Sequence, residues 1–141
     1  MRNWKSQLKL AGYDPVHVKD AAREIHAVIT RQDIKGSVNG HESLCTGARC
    51  IQRTFNAEFA LVGASIAIVA FSKKTILRFR HNGFVPNMQD SGQLANLENY
   101  ELKLNAPDST HKLGYRKTRD TQLDYKPRKP ATLSFAAKLR A

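Results

Sequence analysis

The first third of the chain places apolar residues at the spacing of an amphipathic helix. Asp14-Pro15 supplies a side chain that can cap a helix and a proline suited to its first turn. Six apolar residues then recur at intervals of three and four: Val18, Ala21, Ala22, Ile25, Val28 and Ile29. This pattern predicts a helix over about residues 14–30, followed by a polar, glycine-containing loop over 33–43.

A second helix is predicted over about residues 44–55, with Ser43 placed to cap it. The apolar face of this helix consists of Leu44, Ala48, Ile51 and Phe55. These residues lie three or four positions apart, which predicts that they pack together on one side.

Strands are predicted in the middle of the chain. The apolar stretch from Phe59 to Phe71 is rich in β-branched residues and predicts a largely buried strand. Ser72-Lys73-Lys74 predicts a tight turn, and the alternation over 75–81 predicts the second strand of a β-hairpin. Residues 82–93 indicate a loop, 94–99 a short helical turn, and 100–104 a third strand.

These elements together predict an α+β domain over residues 1–110. Two helices would pack on a small, mainly antiparallel sheet that contains the hairpin and the third strand. Residues 111–141 have no clean periodicity and predict a basic, extended C-terminal tail. Neither a spanning apolar run nor a secretory signal is evident, so we expect a soluble protein of the cytoplasm with no membrane partner.

The net charge indicates the class of binding partner more clearly than any motif does. The 141 residues include 23 Lys and Arg against 12 Asp and Glu, a formal charge of +11. Residues 111–141 hold nine basic and two acidic side chains, so +7 of this charge lies in the tail. An excess of this size favours binding to phosphate or to an acidic protein surface.

The only cluster of metal-ligand residue types is His41, Cys45 and Cys50. The two cysteines are five positions apart, and no fourth ligand lies nearby, so the spacing does not predict a zinc site. We expect one cysteine in the core and the other near the surface. Because no catalytic or phosphate-loop motif surrounds them, the sequence predicts neither an enzyme nor a cofactor.

Two arginine pairs are the best candidates for binding within the domain. Arg49 and Arg53 are four residues apart on a predicted helix, and Arg78 and Arg80 alternate on a predicted strand. We expect each pair to share an exposed face, with the second pair opposite Leu77. Lys73 and Lys74 lie in the turn nearby.

The tail supplies further candidates for contact with a nucleic acid. Its basic candidates are Lys112, Arg116, Lys117, Arg119, Lys126, Arg128 and Lys129. Apolar residues among them are predicted to anchor the tail on a partner, and they are Tyr115, Tyr125, Leu133 and Phe135.

The predicted elements follow one another as a helix, a glycine-containing loop, a Leu44–Cys50 helix, a Val62–Phe71 strand, an Arg78-Phe79-Arg80 strand and a Tyr100-Glu101-Leu102 strand. This order is similar to that of small basic proteins encoded by tailed bacteriophages. The likeness covers about residues 14–106 and rests on layout. It implies a viral accessory or virion protein made in a bacterial cytoplasm, and it implies no functional residue.

The sequence therefore favours a non-enzymatic protein that binds nucleic acid, either DNA or RNA, through charge and without sequence specificity. The alternative is a phage structural or accessory protein whose tail binds an acidic surface within a virion or multiprotein assembly.

Overall fold

The computed structural model describes residues 3–113. They form an α+β fold with four α-helices and two sheets. The helices are α1 (Trp4–Leu10), α2 (Arg31–Lys35), α3 (Thr46–Phe55) and α4 (Phe84–Asp90). The strands are β1 (Val18–Asp20), β2 (Ile25–Val28), β3 (Phe59–Val62), β4 (Ile66–Ser72), β5 (Thr75–Arg80) and β6 (Glu101–Leu104). Short 3-10 turns lie at Pro15–His17 and Leu94–Leu97.

The main sheet has the strand order β1-β5-β4-β3. Its strands pair antiparallel except at β1, which runs parallel to β5. The β4–β5 hairpin around Lys73 and Lys74 confirms the predicted hairpin. The predicted single strand over residues 59–71 is wrong, because a turn at 63–65 divides it into the antiparallel pair β3 and β4.

The predicted third strand is present as β6, but it pairs with β2 in a separate two-stranded sheet. Since β2 lies inside the segment predicted as a helix, the partner of β6 was missing from the predicted sheet. The predicted arrangement of two helices on one three-stranded sheet is therefore too simple.

The predicted helix over residues 14–30 is wrong. The segment forms a 3-10 turn, β1 and β2 instead. Ile25, Ala27 and Ile29 face inward while His26 and Val28 are exposed, which is a period of two rather than 3.6. Short runs rich in β-branched residues fit both periods, and pairing with β5 and β6 selects the strands.

The predicted helix over residues 44–55 is confirmed as α3, although Cys45 rather than Ser43 precedes its first turn. The predicted loop over 82–93 is wrong, because it contains α4. Pro86 is the third residue of α4, where the backbone has no helical hydrogen bond to lose. The predicted helical turn over 94–99 corresponds to the second 3-10 turn.

Apolar side chains fill both faces of the main sheet. One cluster lies on the α3 side and includes Ala48, Ile51 and Phe79. The other lies on the α1 side, where Leu8 packs with Ile68 and others beneath the helix. The sheet is thus a middle layer, with α1 on one side and α3 on the other.

The chain divides into two units after Asp108. The first unit contains every helix and strand named above. Of the second unit, only the exposed residues 109–113 are described. The prediction of an extended tail therefore falls almost entirely outside the described residues.

Candidate functional site

The helix α3 presents its polar side to α2. Ala48, Cys50 and Ile51 of α3 are fully buried, whereas Arg49 and Arg53 lie on the opposite, partly exposed side. The four-residue spacing places both arginines on one face of the helix, as predicted, and both line the same groove.

The carboxylate of Asp33 in α2 fixes Arg53. Asp33 is 2% exposed, and its two oxygens accept hydrogen bonds at 2.9 Å from Nε and Nη2 of Arg53. The backbone N–H and the hydroxyl of Thr30 also donate to Asp33, at 2.9 and 3.1 Å. Burial alone would raise the pKa of Asp33, but these hydrogen bonds outweigh it and lower that pKa. Asp33 is therefore an ionised anchor for Arg53.

Arg49 is fixed by the backbone of α2 rather than by a carboxylate. Its Nε donates to the carbonyl oxygen of Asp33 at 3.1 Å, and its Nη2 donates to that of Gln32 at 3.2 Å. A guanidinium on the last carbonyls of a helix also complements the partial negative charge there. The positive charge of Arg49 remains uncompensated by any carboxylate among residues 3–113.

These side chains line an open groove of about 700 Å³ between α2 and α3. Three basic side chains and one carboxylate contribute to it, and the carboxylate is already bound to Arg53. The lining residues are Gln32, Asp33, Lys35, Gly36, Arg49, Gln52 and Arg53. We call this set of residues the α2–α3 groove, and its net charge is +2.

The expectation that Arg78 and Arg80 share an exposed face is wrong for Arg78. Arg78 is 9% exposed, and its Nη1 donates to Oδ1 of Asp20 at 2.8 Å. In β5 it lies between Asp20 of β1 and Ile68 of β4, on the face that carries the α1-side cluster. Arg80 lies on the same face and is half-buried.

The turn lysines differ from each other. Nζ of Lys73 donates to the carbonyl oxygen of Gly12 at 3.0 Å and lies 4.3 Å from the centre of the Tyr13 ring. Lys74 is exposed, and so is Lys112 in the second unit. Lys73 therefore holds the α1 connection against the hairpin, in addition to any contact it makes with a partner.

The other tail candidates lie outside the described residues. They are Arg116, Lys117, Arg119, Lys126, Arg128 and Lys129, with the anchors Tyr115, Tyr125, Leu133 and Phe135. Their assignment rests on the sequence alone.

Both cysteines are buried, so the expectation that one lies near the surface is wrong. Burial raises the pKa of Cys50 to about 11 and also raises that of Cys45. Neither thiol is thus ionised near neutral pH, which disfavours nucleophilic chemistry. Within residues 3–113, no three His, Cys, Asp or Glu side chains come together as metal ligands would.

Sequence reasoning missed the α2 side of the α2–α3 groove, which includes Asp33, Lys35 and Gly36. The reason is that the loop predicted over 33–43 hid α2. A signal was present, because Thr30 and Asp33 have the spacing of a capping box at a helix start.

No protein family model, no curated protein and no solved structure matches this chain. The resemblance to tailed-phage proteins stays a prediction from the sequence. The helices formed by residues 3–113 all lack the length and apolar content needed to cross a bilayer.

Proposed function

We propose that this protein binds the phosphate backbone of nucleic acid, without catalysis and without reading sequence. The observation that carries the proposal is the α2–α3 groove, in which Arg49 and Arg53 are held beside Lys35. Cationic side chains that line one groove are suited to contact the phosphates of a nucleic-acid backbone.

The electrostatics of the groove support this function. The Asp33 carboxylate is nearly fully buried and bound to Arg53, so it offsets one charge without repelling a ligand from the surface. Lys35 and Arg49 make no ion pair within residues 3–113. Neutralising phosphates releases counterions from nucleic acid, and each contact adds about 0.7–0.9 to the slope of log affinity against log salt.

The sequence of the tail adds to the same argument. Residues 111–141 carry +7 of the formal charge of +11, so the tail would extend contact beyond one groove. The groove and the tail together account for a protein that attaches by charge along a backbone.

The test uses the full chain and short random duplexes and single strands. Lys35→Gln with Arg49→Gln removes two charges from the groove and leaves the Asp33–Arg53 pair intact. The matched control, Lys19→Gln with Arg23→Gln, removes two exposed charges outside the groove. We expect the groove variant to lower the salt slope by about 0.7–0.9, as the loss of one phosphate contact would, and the control to change it far less.

Equal slopes for the two variants would contradict the role of the groove. No salt-dependent binding by the full chain would contradict the proposed function itself. The alternative partner, an acidic surface in a virion or other assembly, predicts that Tyr125, Leu133 and Phe135 matter more than the basic residues, since apolar anchors dominate protein contacts.

A further inference from the structure

The two guanidiniums in the α2–α3 groove are held in a similar way. Each uses Nε and Nη2 for hydrogen bonds within the protein: Arg49 with α2 carbonyls, and Arg53 with Asp33 and with the Val28 carbonyl. In neither side chain does Nη1 bind any of residues 3–113. Each arginine thus has one N–H₂ group available while the rest of its guanidinium is fixed.

Gly36 has a specific part in this arrangement. A Cβ at Gly36 would lie 2.6 Å from Nη2 of Arg49, 2.7 Å from Cζ and 3.1 Å from Nη1. The guanidinium of Arg49 therefore lies directly against the glycine backbone. Any larger residue at position 36 would push it away from its observed place.

The backbone conformation does not explain this glycine. Gly36 has φ −100° and ψ 9°, which other residues adopt without strain. Gly36 is also exposed, so burial does not restrict the size of the residue at this position. What the position requires is space for the guanidinium of Arg49.

We propose that the α2–α3 groove is a geometrically defined site for one phosphate group, bound by Nη1 of Arg49 and Nη1 of Arg53 with Lys35 nearby. Guanidinium groups that are fixed before binding lose less conformational entropy when they bind, and charge-assisted hydrogen bonds to phosphate oxygens are among the stronger ones. The open volume of about 700 Å³ leaves room for the sugars on either side of a phosphodiester. The assignment of this phosphate to a nucleic-acid backbone rests on the proposed function.

The decisive variant is Gly36→Ala, because it displaces Arg49 without changing any charge. Only the end of a flexible side chain must move, so we expect the variant to fold and to unfold at nearly the wild-type urea concentration. The affinity of the full chain for a duplex of about 12 base pairs should fall roughly tenfold, which is the effect expected from losing one hydrogen bond to a charged group.

A double-mutant cycle isolates the contact between Gly36 and Arg49. We expect Gly36→Ala to have no further effect on affinity in the Arg49→Gln background, since the displaced group is then absent. An additive effect, or wild-type affinity in the single variant, would overturn the defined site and leave only a diffuse basic surface.

Titration with inorganic phosphate, followed by amide NMR of the full chain, separates the inference from the proposed function. We expect shifts at Gly36 and Gln52 that Gly36→Ala reduces. These shifts without oligonucleotide binding would support the phosphate site and contradict nucleic-acid binding. Oligonucleotide binding without any effect of Gly36→Ala on either ligand would contradict the site alone.

Discussion

Two pairs of arginines that looked alike in the sequence occupy opposite settings in the fold. Arg49 and Arg53 share the partly exposed side of α3 and line the α2–α3 groove. Arg78 and Arg80 share one face of β5, but Arg78 is buried there against Asp20. Spacing predicted correctly which residues lie together in both pairs, and it predicted the exposure of only one.

The difference lies in what covers each element. A helix on the surface of a domain buries one side, and its polar residues mark the other. A strand inside a sheet has two faces, and alternation does not tell whether both are covered. Here α1 and the α1-side cluster cover the face that carries Arg78. Because that face is covered, the guanidinium of Arg78 is buried and pairs with the carboxylate of Asp20.

The largest effect is therefore expected at Arg78. Arg78→Gln removes the guanidinium that forms an ion pair with the Asp20 carboxylate, whose side chain is 16% exposed. We expect urea unfolding of the full chain to lose about 3 kcal/mol, against less than about 1 kcal/mol for Arg49→Gln.

A double variant serves as the control. Adding Asp20→Asn to Arg78→Gln removes the carboxylate that has lost the Arg78 guanidinium and should recover part of the loss. Equal losses for Arg78→Gln and Arg49→Gln would mean that the covered face does not distinguish the two pairs.

Local signals predicted the elements that depend least on distant parts of the chain. The helix α3 and the β4–β5 hairpin have strong patterns of their own and were predicted. The segment 14–30 was not, because β1 and β2 exist through pairing with strands more than fifty residues away. In the candidate site, the shared face of Arg49 and Arg53 was predictable from spacing. The contact of Gly36 with Arg49 was not, since it requires the packing of α2 on α3.

A smaller effect is expected at His81, which directly follows β5 and is buried. It is 6% exposed, its Nδ1 accepts from the Gly83 N–H at 2.9 Å, and its Nε2 has no hydrogen-bond partner within residues 3–113. Burial lowers the pKa of His81 below its ordinary value of 6.5.

The sign of the pH effect follows from this lowered pKa. The contribution of neutral His81 to stability is complete above about pH 6.5 and is lost as pH falls through the folded-state pKa. Urea unfolding between pH 7.5 and 5 should therefore show falling stability, and His81→Asn should reduce that dependence. Asparagine retains an acceptor for Gly83 but does not titrate. An unchanged pH dependence in the variant would contradict the assignment.

The smallest effect is expected at His26, which is partly exposed whereas His81 is buried. His26 lies on β2 with its side chain 37% exposed, and its two ring nitrogens lie 2.9 Å from carboxylate oxygens of Glu24 and Glu101. Hydrogen bonds from the ring to Glu24 and then Glu101 raise the pKa of His26 above 6.5. Its contribution to stability is thus present below about pH 6.5 and is lost as pH rises through the folded-state pKa, opposite to His81.

Ring titrations by NMR should place the midpoint of His26 above 6.5 and that of His81 below it. Glu101→Gln should lower the midpoint of His26 and leave that of His81 unchanged, because it removes one of the two carboxylates that favour the charged ring. Coinciding midpoints for the two histidines would contradict the contrast between covered and open positions.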